Sequence, residues 1–168
     1  MGSEGYSYKE GRKLSVTWWV YPEASWPGTL SGMAYDSWKQ VGIDLVIELM
    51  DFTTVSARSK DFTKEPREFD IYTMGFQITP EPDPSGALFD ADAYGTGGFN
   101  ATGYRNERAQ ELIKLGREAF DQAKRQEYYN EFALLMNEEI PTVVVAYRSQ
   151  LWAVSEKVKG MDMGTFQT

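Results

Sequence analysis

Two apolar runs on either side of a helical pattern decide the fold: KLSVTWWVY at residues 13–21 and IDLVIELM at residues 43–50. The first run is rich in β-branched and aromatic residues and ends at Pro22, which is typical of a strand. The second run places apolar side chains on one face and also Val46 and Met50 on the other. Such a pattern is typical of a strand in a parallel sheet that is buried on both faces.

The segment between the two runs has the spacing of an amphipathic helix that stops at Gly42. Its apolar positions are Leu30, Met33, Ala34, Trp38 and Val41. A strand, a helix and a second strand in immediate succession predict a βαβ unit, so we expect an α/β protein with one domain.

The rest of the chain continues the alternation of elements. Residues 53–68 indicate a helix followed by a loop, residues 69–76 a third strand, and residues 77–104 a long loop rich in Pro and Gly. Asn106 and Asp121 are predicted N-caps of two helices, the first ending near Phe120 and the second before Pro141. The inward positions of the two helices are Ala109, Leu112, Ile113 and Gly116, then Tyr128, Phe132, Leu135 and Met136. Residues 142–147 predict a final apolar strand.

Composition excludes several functional classes. The 168 residues include no Cys and no His, which removes disulfides, thiolate or imidazole metal sites, Cys nucleophiles and the Ser-His-Asp triad. A formal charge of -8 argues against nucleic acid or an anionic membrane as the main partner. No apolar stretch has the length of a membrane span. We expect no cofactor and no metal.

The long loop holds the residues that could carry chemistry. It concentrates four acids, Glu81, Asp83, Asp90 and Asp92, two of which could form the carboxylate pair of a glycoside hydrolase. Catalytic acids usually lie on firm elements, so turn formation and solvation are the simpler interpretation. The aromatic residues near strand ends and in the loop, from Phe76 to Tyr104, favour a binding cleft, because ligands of α/β proteins lie at the carboxyl ends of strands.

Several motifs occur in the order of one known family. Asp70 to Phe76 followed by Glu81-Pro82-Asp83-Pro84, then FNATGYRN at residues 99–106, resemble conserved passages of the family 5 extracellular solute-binding proteins. These proteins are the oligopeptide and dipeptide receptors of ABC importers. GRKL at residues 11–14, the Arg125 to Pro141 passage and VKG at residues 158–160 are also similar to that family.

The resemblance implies a periplasmic-binding-protein-like lobe, with a mostly parallel central sheet flanked by helices. Members of the family have roughly three times this length, so the resemblance implies a C-terminal lobe over residues 4–168. The sequence Met1-Gly2-Ser3 is itself typical of a cloning remnant, so we expect residues 1–3 to lie outside the lobe. The implied partners are a peptide or small-molecule ligand, the N-terminal lobe and an ABC transporter permease. The full-length protein would be periplasmic or extracellular and lipid-anchored, although residues 1–5 show no export signal.

The resemblance also implies a set of ligand-binding residues without catalysis. In peptide-binding relatives an acid after the Gly-aromatic pair holds the ligand ammonium group; Thr79 stands at that position here, and Glu81 is the nearest substitute. Phe76, Trp19 and Tyr104 would supply apolar walls, whereas Asp83, Pro84 and Asn100 would shape the loop. The altered acid position leaves sugars and other small solutes open as ligands. A glycoside hydrolase and a protein-interaction module remain alternatives of other classes.

Overall fold

The computed structural model describes residues 5–64, 66–76, 81, 83, 88–95, 98–147 and 153–160. The strands within these ranges are β1 (Tyr8–Lys9), β2 (Arg12–Lys13), β3 (Ser15–Val20), β4 (Asp44–Leu49) and β5 (Ile71–Tyr72). The helices are α1 (Ser25–Gln40), α2 (Phe52–Arg58), α3 (Glu107–Glu118) and α4 (Gln122–Glu139).

The chain divides into two compact units. The sheet unit comprises residues 1–75 and 94–101, and the helical-hairpin unit comprises residues 76–93 and 102–168. The prediction of one lobe over residues 4–168 stays a prediction.

A parallel three-stranded sheet organises the sheet unit. The strand order is β4-β3-β5, and Trp18 of β3 lies opposite Ile47 of β4 and Ile71 of β5. Helix α1 crosses from β3 to β4, so the predicted βαβ unit and the α/β class are confirmed. The predicted third strand is shorter than expected, since β5 covers only two of residues 69–76.

The central strand β3 is packed on both faces. On one face Trp18 and Val20 contact Leu45 and the apolar side of α1, which consists of Leu30, Ala34 and Trp38. On the other face Trp19 and Tyr21 pack with Val55 of α2. The indole nitrogen of Trp18 donates a buried hydrogen bond of 2.7 Å to the hydroxyl of Thr73, which ties β3 to the chain after β5. The aromatic run of β3 is therefore used for packing.

The prediction that β4 is buried on both faces is wrong. This strand lies at the edge of the described sheet, and the side chains of Val46 and Leu49 are exposed. Met33 and Val41 of the predicted helix face are exposed as well. Among the described residues, α1 packs on one face of the sheet and α2 on the other, and apolar side chains beyond these two contacts stay exposed.

A short hairpin precedes the sheet and was missed by the sequence analysis. Strands β1 and β2 pair antiparallel, with Tyr8 opposite Lys13. The two residues between them, Glu10 and Gly11, both have positive φ angles (52° and 76°), as a tight hairpin turn with the twist of its strands requires. Glycine at the second position fits the usual preference. Glutamate at the first position is uncommon in such turns, so the sequence did not indicate a hairpin.

Two capped helices build the helical-hairpin unit. The side chain of Asn106 accepts a hydrogen bond from the amide of Ala109, and that of Asp121 from the amide of Lys124, so both predicted N-caps are confirmed. The core contains the predicted inward residues Ala109, Leu112, Ile113 and Phe132, with Tyr128, Leu135 and Met136 against it.

The predicted strand over residues 142–147 is wrong. These residues follow α4 without forming any regular element, and Val143, Val144, Val145 and Tyr147 are exposed. A strand requires a hydrogen-bonded neighbour, and none of the described residues pairs with this run.

Candidate functional site

The residues predicted to bind ligand fall in both units. Phe76, Glu81 and Tyr104 belong to the helical-hairpin unit, whereas Trp19 and Asn100 belong to the sheet unit. Thr79 and Pro84 lie outside the described residues. Phe76 is exposed by 40%, in keeping with a surface role.

Glu81 is held by an arginine of α4. Its carboxylate forms an ion pair with Arg125, whose Nε also donates a hydrogen bond of 3.1 Å to the carbonyl of Gly116. The same guanidinium lies 5.4 Å from the ring centre of Tyr129. Its pKa is raised, first through the hydrogen bond with the Tyr129 hydroxyl and then through Glu81. The carboxylate of Glu81 therefore already binds a cation of its own chain.

Asp83 and Asp90 share a second arginine. Nε of Arg117 lies 2.7 Å from Oδ2 of Asp83, and its Nη1 lies 3.4 Å from Oδ2 of Asp90. The pKa of Arg117 is raised, mainly by the hydrogen bond with Asp83. The ion pair supports the loop-shaping role of Asp83, which stays a prediction. It also accounts for two of the four loop acids without catalysis.

Gln110 fixes the backbone of the same loop. Its Nε2 donates a hydrogen bond of 2.7 Å to the carbonyl of Phe89, and its Oε1 accepts one of 2.9 Å from the amide of Ala91. The ring of Phe89 packs edge-on against Tyr104 and Phe132 at centroid distances of 6.2 and 5.7 Å. Gln110 was not predicted from the sequence, although it lies seven residues before Arg117 on the predicted helix, a spacing that places both on one face.

Tyr104 is linked to the end of α4. Its hydroxyl donates a hydrogen bond of 2.5 Å to Oε2 of Glu139, and Nδ2 of Asn106 donates one of 2.7 Å to Oε1 of the same carboxylate. Burial raises the pKa of Tyr104, and the hydrogen bond with Glu139 raises it further. The phenol therefore stays protonated and joins the segment before α3 to the last turn of α4. Its role as a ligand wall stays a prediction.

Trp19 and Asn100 are enclosed by the sheet unit. Trp19 is only 1% exposed. Its ring centre lies 4.6 Å from the Arg58 guanidinium and 4.4 Å from the ring centre of Phe69. Its indole donates a hydrogen bond of 2.9 Å to Glu48. Asn100 is fully buried and forms a parallel bridge with Tyr94. Packing against Phe69 and Arg58 accounts for the burial of Trp19. The predicted binding role of Trp19 and the predicted loop-shaping role of Asn100 stay predictions.

The sheet unit also has an open groove along α2. Phe52, Thr53, Ser56, Ala57 and Lys60 line a volume of about 360 Å³. The ammonium group of Lys60 lies 4.7 Å from the ring centre of Phe99. This groove was not predicted from the sequence.

The part of the chain that the structure describes has neither a metal-binding cluster nor a membrane-spanning helix. There, no group of three or more acidic, His or Cys residues could hold a metal ion. No helix of the described residues is long and apolar enough to cross a membrane.

Comparison with known proteins identifies the fold. No protein-family profile matches the sequence, and no curated protein matches it. Among solved structures, the oligopeptide-binding protein AppA from Bacillus subtilis, in complex with a nonapeptide, is similar, with a TM-score of 0.69 and 19% identity. NikZ from Campylobacter jejuni, in complex with Ni(L-His), is similar with a TM-score of 0.69 and 16% identity. Both similarities cover 83% of this chain and 27% of the other.

A third similar structure is the ABC transporter-associated periplasmic binding protein DppA from Helicobacter pylori, in complex with the peptide STSA. Its TM-score is 0.63 at 17% identity, over 76% of this chain and 24% of that one. The chain thus spans about a quarter of the length of these proteins and has the fold of that portion of them.

Proposed function

We propose that the chain is the ligand-binding C-terminal lobe of a family 5 solute-binding protein of an ABC importer, that it acts without catalysis, and that its ligands are oligopeptides or dipeptides. The observation that carries the proposal is the fold similarity to the nonapeptide-bound AppA, with a TM-score of 0.69 over 83% of this chain. The motif order from Asp70 to Asn106 supports it independently of the fold.

Glu81 is the proposed group for a ligand ammonium. A carboxylate forms its strongest hydrogen bonds with a cation, and Glu81 already binds the guanidinium of Arg125. A ligand ammonium would share the carboxylate with Arg125 or replace it. Phe76, Tyr104 and Trp19 are proposed as apolar walls and Thr79 as a polar neighbour, with Asp83, Pro84 and Asn100 shaping the loop.

The proposed partners complete the receptor. An N-terminal lobe would cover the other side of the ligand and exclude water, and an ABC transporter permease would receive the ligand. The receptor would lie in the periplasm or outside the cell, held by a lipid anchor. One lobe offers half of the contacts, so its own affinity should be weak.

A small solute is the second candidate ligand. NikZ bound to Ni(L-His) gives the same TM-score as the peptide receptor AppA. A metal chelate that brings its own donor atoms would suit a chain without His or Cys. A sugar is a further small solute of this class.

Titration of the 15N-labelled chain, followed by NMR, tests the proposal. Trialanine should shift the amides of Phe76, Glu81 and Tyr104 with a dissociation constant near or above about 1 mM, since half a site provides only about 4 kcal/mol. Glu81→Gln should weaken this binding about tenfold, the equivalent of about 1.4 kcal/mol. The matched control is Glu118→Gln, an exposed acid of α3, which should leave binding unchanged.

Three outcomes would contradict the proposal. Submicromolar binding of trialanine would show that the chain has a complete site. Shifts with Ni(L-His) or maltose but not with trialanine would favour the small-solute candidate. Equal affinity of Glu81→Gln and wild type for trialanine would show that the Glu81 carboxylate does not contact the ligand.

A further inference from the structure

We infer that Gln110, Arg117 and Arg125 are positioning residues that attach the acidic segment, defined here as Glu81, Asp83 and residues 88–91, to the α3–α4 hairpin and so hold the carboxylate of Glu81 in place. The attachment of the segment stands on the contacts alone. Only the use of Glu81 for ligand recognition rests on the proposed function.

The first two attachments come from α3. Gln110 and Arg117 are seven residues apart, which places them on the same side of a helix about two turns from each other. The amide of Gln110 has both a donor and an acceptor, and it uses them on the carbonyl of Phe89 and the amide of Ala91. One side chain therefore fixes the backbone on both sides of residue 90.

Arg117 joins two distant points of the segment. Its guanidinium contacts Asp83 at 2.7 Å and Asp90 at 3.4 Å, seven residues apart in sequence. The planar guanidinium has several donors in fixed directions, so a single arginine can hold two carboxylates. Asp83 and Asp90 are thus fixed relative to each other and to α3.

The third attachment comes from α4. Arg125 is itself fixed, because Nε donates to the carbonyl of Gly116 and the guanidinium lies over the ring of Tyr129. A guanidinium held by its own helices can orient the carboxylate that it binds, which is Glu81. Each attachment is partly exposed and weak by itself. Together the three attachments order the acidic segment before a ligand binds. Ligand binding then does not have to supply the free energy of ordering it.

Arg108 provides the contrast within the same hairpin. Its side chain is as exposed as that of Arg117, but both of its partners lie in the helices, Glu111 in α3 and Glu131 in α4. Arg108 therefore ties one helix to the other, whereas Arg117 and Arg125 tie the helices to the segment. It is the matched control for the experiment.

Amide hydrogen exchange of the full chain, measured by NMR, tests the inference. Gln110→Met removes the acceptor of the Ala91 amide and should speed its exchange about tenfold, the equivalent of about 1.4 kcal/mol of lost protection. Arg117→Gln and Arg125→Gln should each speed exchange in residues 88–91 about two- to threefold. Exchange at Leu112 and Ile113 should stay unchanged in all three variants, which excludes general unfolding. Arg108→Gln should leave residues 88–91 at the wild-type rate.

A charge exchange separates positioning from a merely structural effect. The double variant Glu81→Arg/Arg125→Glu restores an ion pair between the two positions but not the hydrogen bond to the Gly116 carbonyl, so exchange in residues 88–91 should be slower than in Arg125→Gln without reaching the rate of wild type. Binding of trialanine should not return, because the carboxylate has left the segment.

Two results would overturn the inference. One is wild-type exchange in residues 88–91 for Gln110→Met and both arginine variants. The other is equal acceleration by Arg108→Gln. If trialanine does not bind the wild type while the exchange pattern appears as expected, the attachment is supported and the proposed function alone fails.

Discussion

Two apolar segments, residues 15–20 and residues 142–147, differ sharply in structure: the first is a largely buried strand and the second is exposed and irregular. Residues 15–20 form the central strand β3, and Val20 at its end is completely buried. Residues 142–147 carry three consecutive valines and a tyrosine, yet they form no strand, and Val144 is 66% exposed. The first run has a neighbour on each side, β4 and β5; the second has none among the described residues.

The contrast shows that an apolar segment with high strand propensity forms a strand only where other strands can pair with it. A strand leaves its backbone groups unpaired until another strand supplies donors and acceptors, so its stability depends on packing. Helices α3 and α4 satisfy their backbone within the segment, and both appear where their caps predict. Local sequence is therefore a better guide to the α3–α4 helical hairpin than to the final apolar run.

The largest expected effect compares one valine from each run. Val20→Ala should lower the free energy of unfolding by about 2–3 kcal/mol, since two buried methyl groups are lost and a cavity remains. Val144→Ala should change it by less than about 0.5 kcal/mol, because that side chain is exposed. Urea denaturation followed by circular dichroism measures both. Equal losses in the two variants would show that residues 142–147 are packed in solution and would remove the contrast.

A second, smaller effect probes how closely α3 and α4 pack. A Cβ atom on Gly116 would lie 2.7 Å from Cζ of Tyr129, so Gly116→Ala should destabilise the protein by about 1 kcal/mol despite the higher helix propensity of alanine. In a Tyr129→Ala background the same change should stabilise it by about 0.5–1 kcal/mol, since only the propensity remains. Thermal and urea unfolding of the four proteins complete this cycle. A gain in stability from Gly116→Ala alone would mean that the ring moves aside freely.

The smallest effect concerns a helix end, where local sequence should suffice. The pKa of Asp51, which caps α2, is lowered, first by the hydrogen bond from the Thr54 hydroxyl and then by the Thr54 amide. A lowered pKa in the folded state means that the stability contributed by Asp51 is present above its unfolded pKa. That stability is lost as the pH falls through the folded value.

Thr54→Val should therefore raise the pKa of Asp51 towards its ordinary value, because the hydroxyl donor is lost while the hydrogen bond from the backbone amide of residue 54 remains. An NMR titration of the Asp51 carboxyl carbon measures the change. An unchanged pKa would assign the shift to the backbone amide alone.

The sequence predicted most of the regular elements but few of the site contacts. The βαβ unit, both helix caps and the inward face of the hairpin follow from local periodicity and from capping residues such as Asn106. The ion pair of Glu81 with Arg125 and that of Asp83 with Arg117 join residues more than 30 positions apart. No local pattern specifies such pairs, because any of several arginines could reach an acid in a long loop.

The sequence by itself determined the α/β class, the βαβ unit, the two capped helices and the lack of His and Cys chemistry. These properties depend on composition and on periods of two or 3.6 residues, which are local. Only the tertiary structure decided which apolar run became a strand, which aromatic residues were enclosed and which arginines held the acidic loop. Those outcomes depend on neighbours distant in sequence, since burial and charge pairing arise only when separate segments meet.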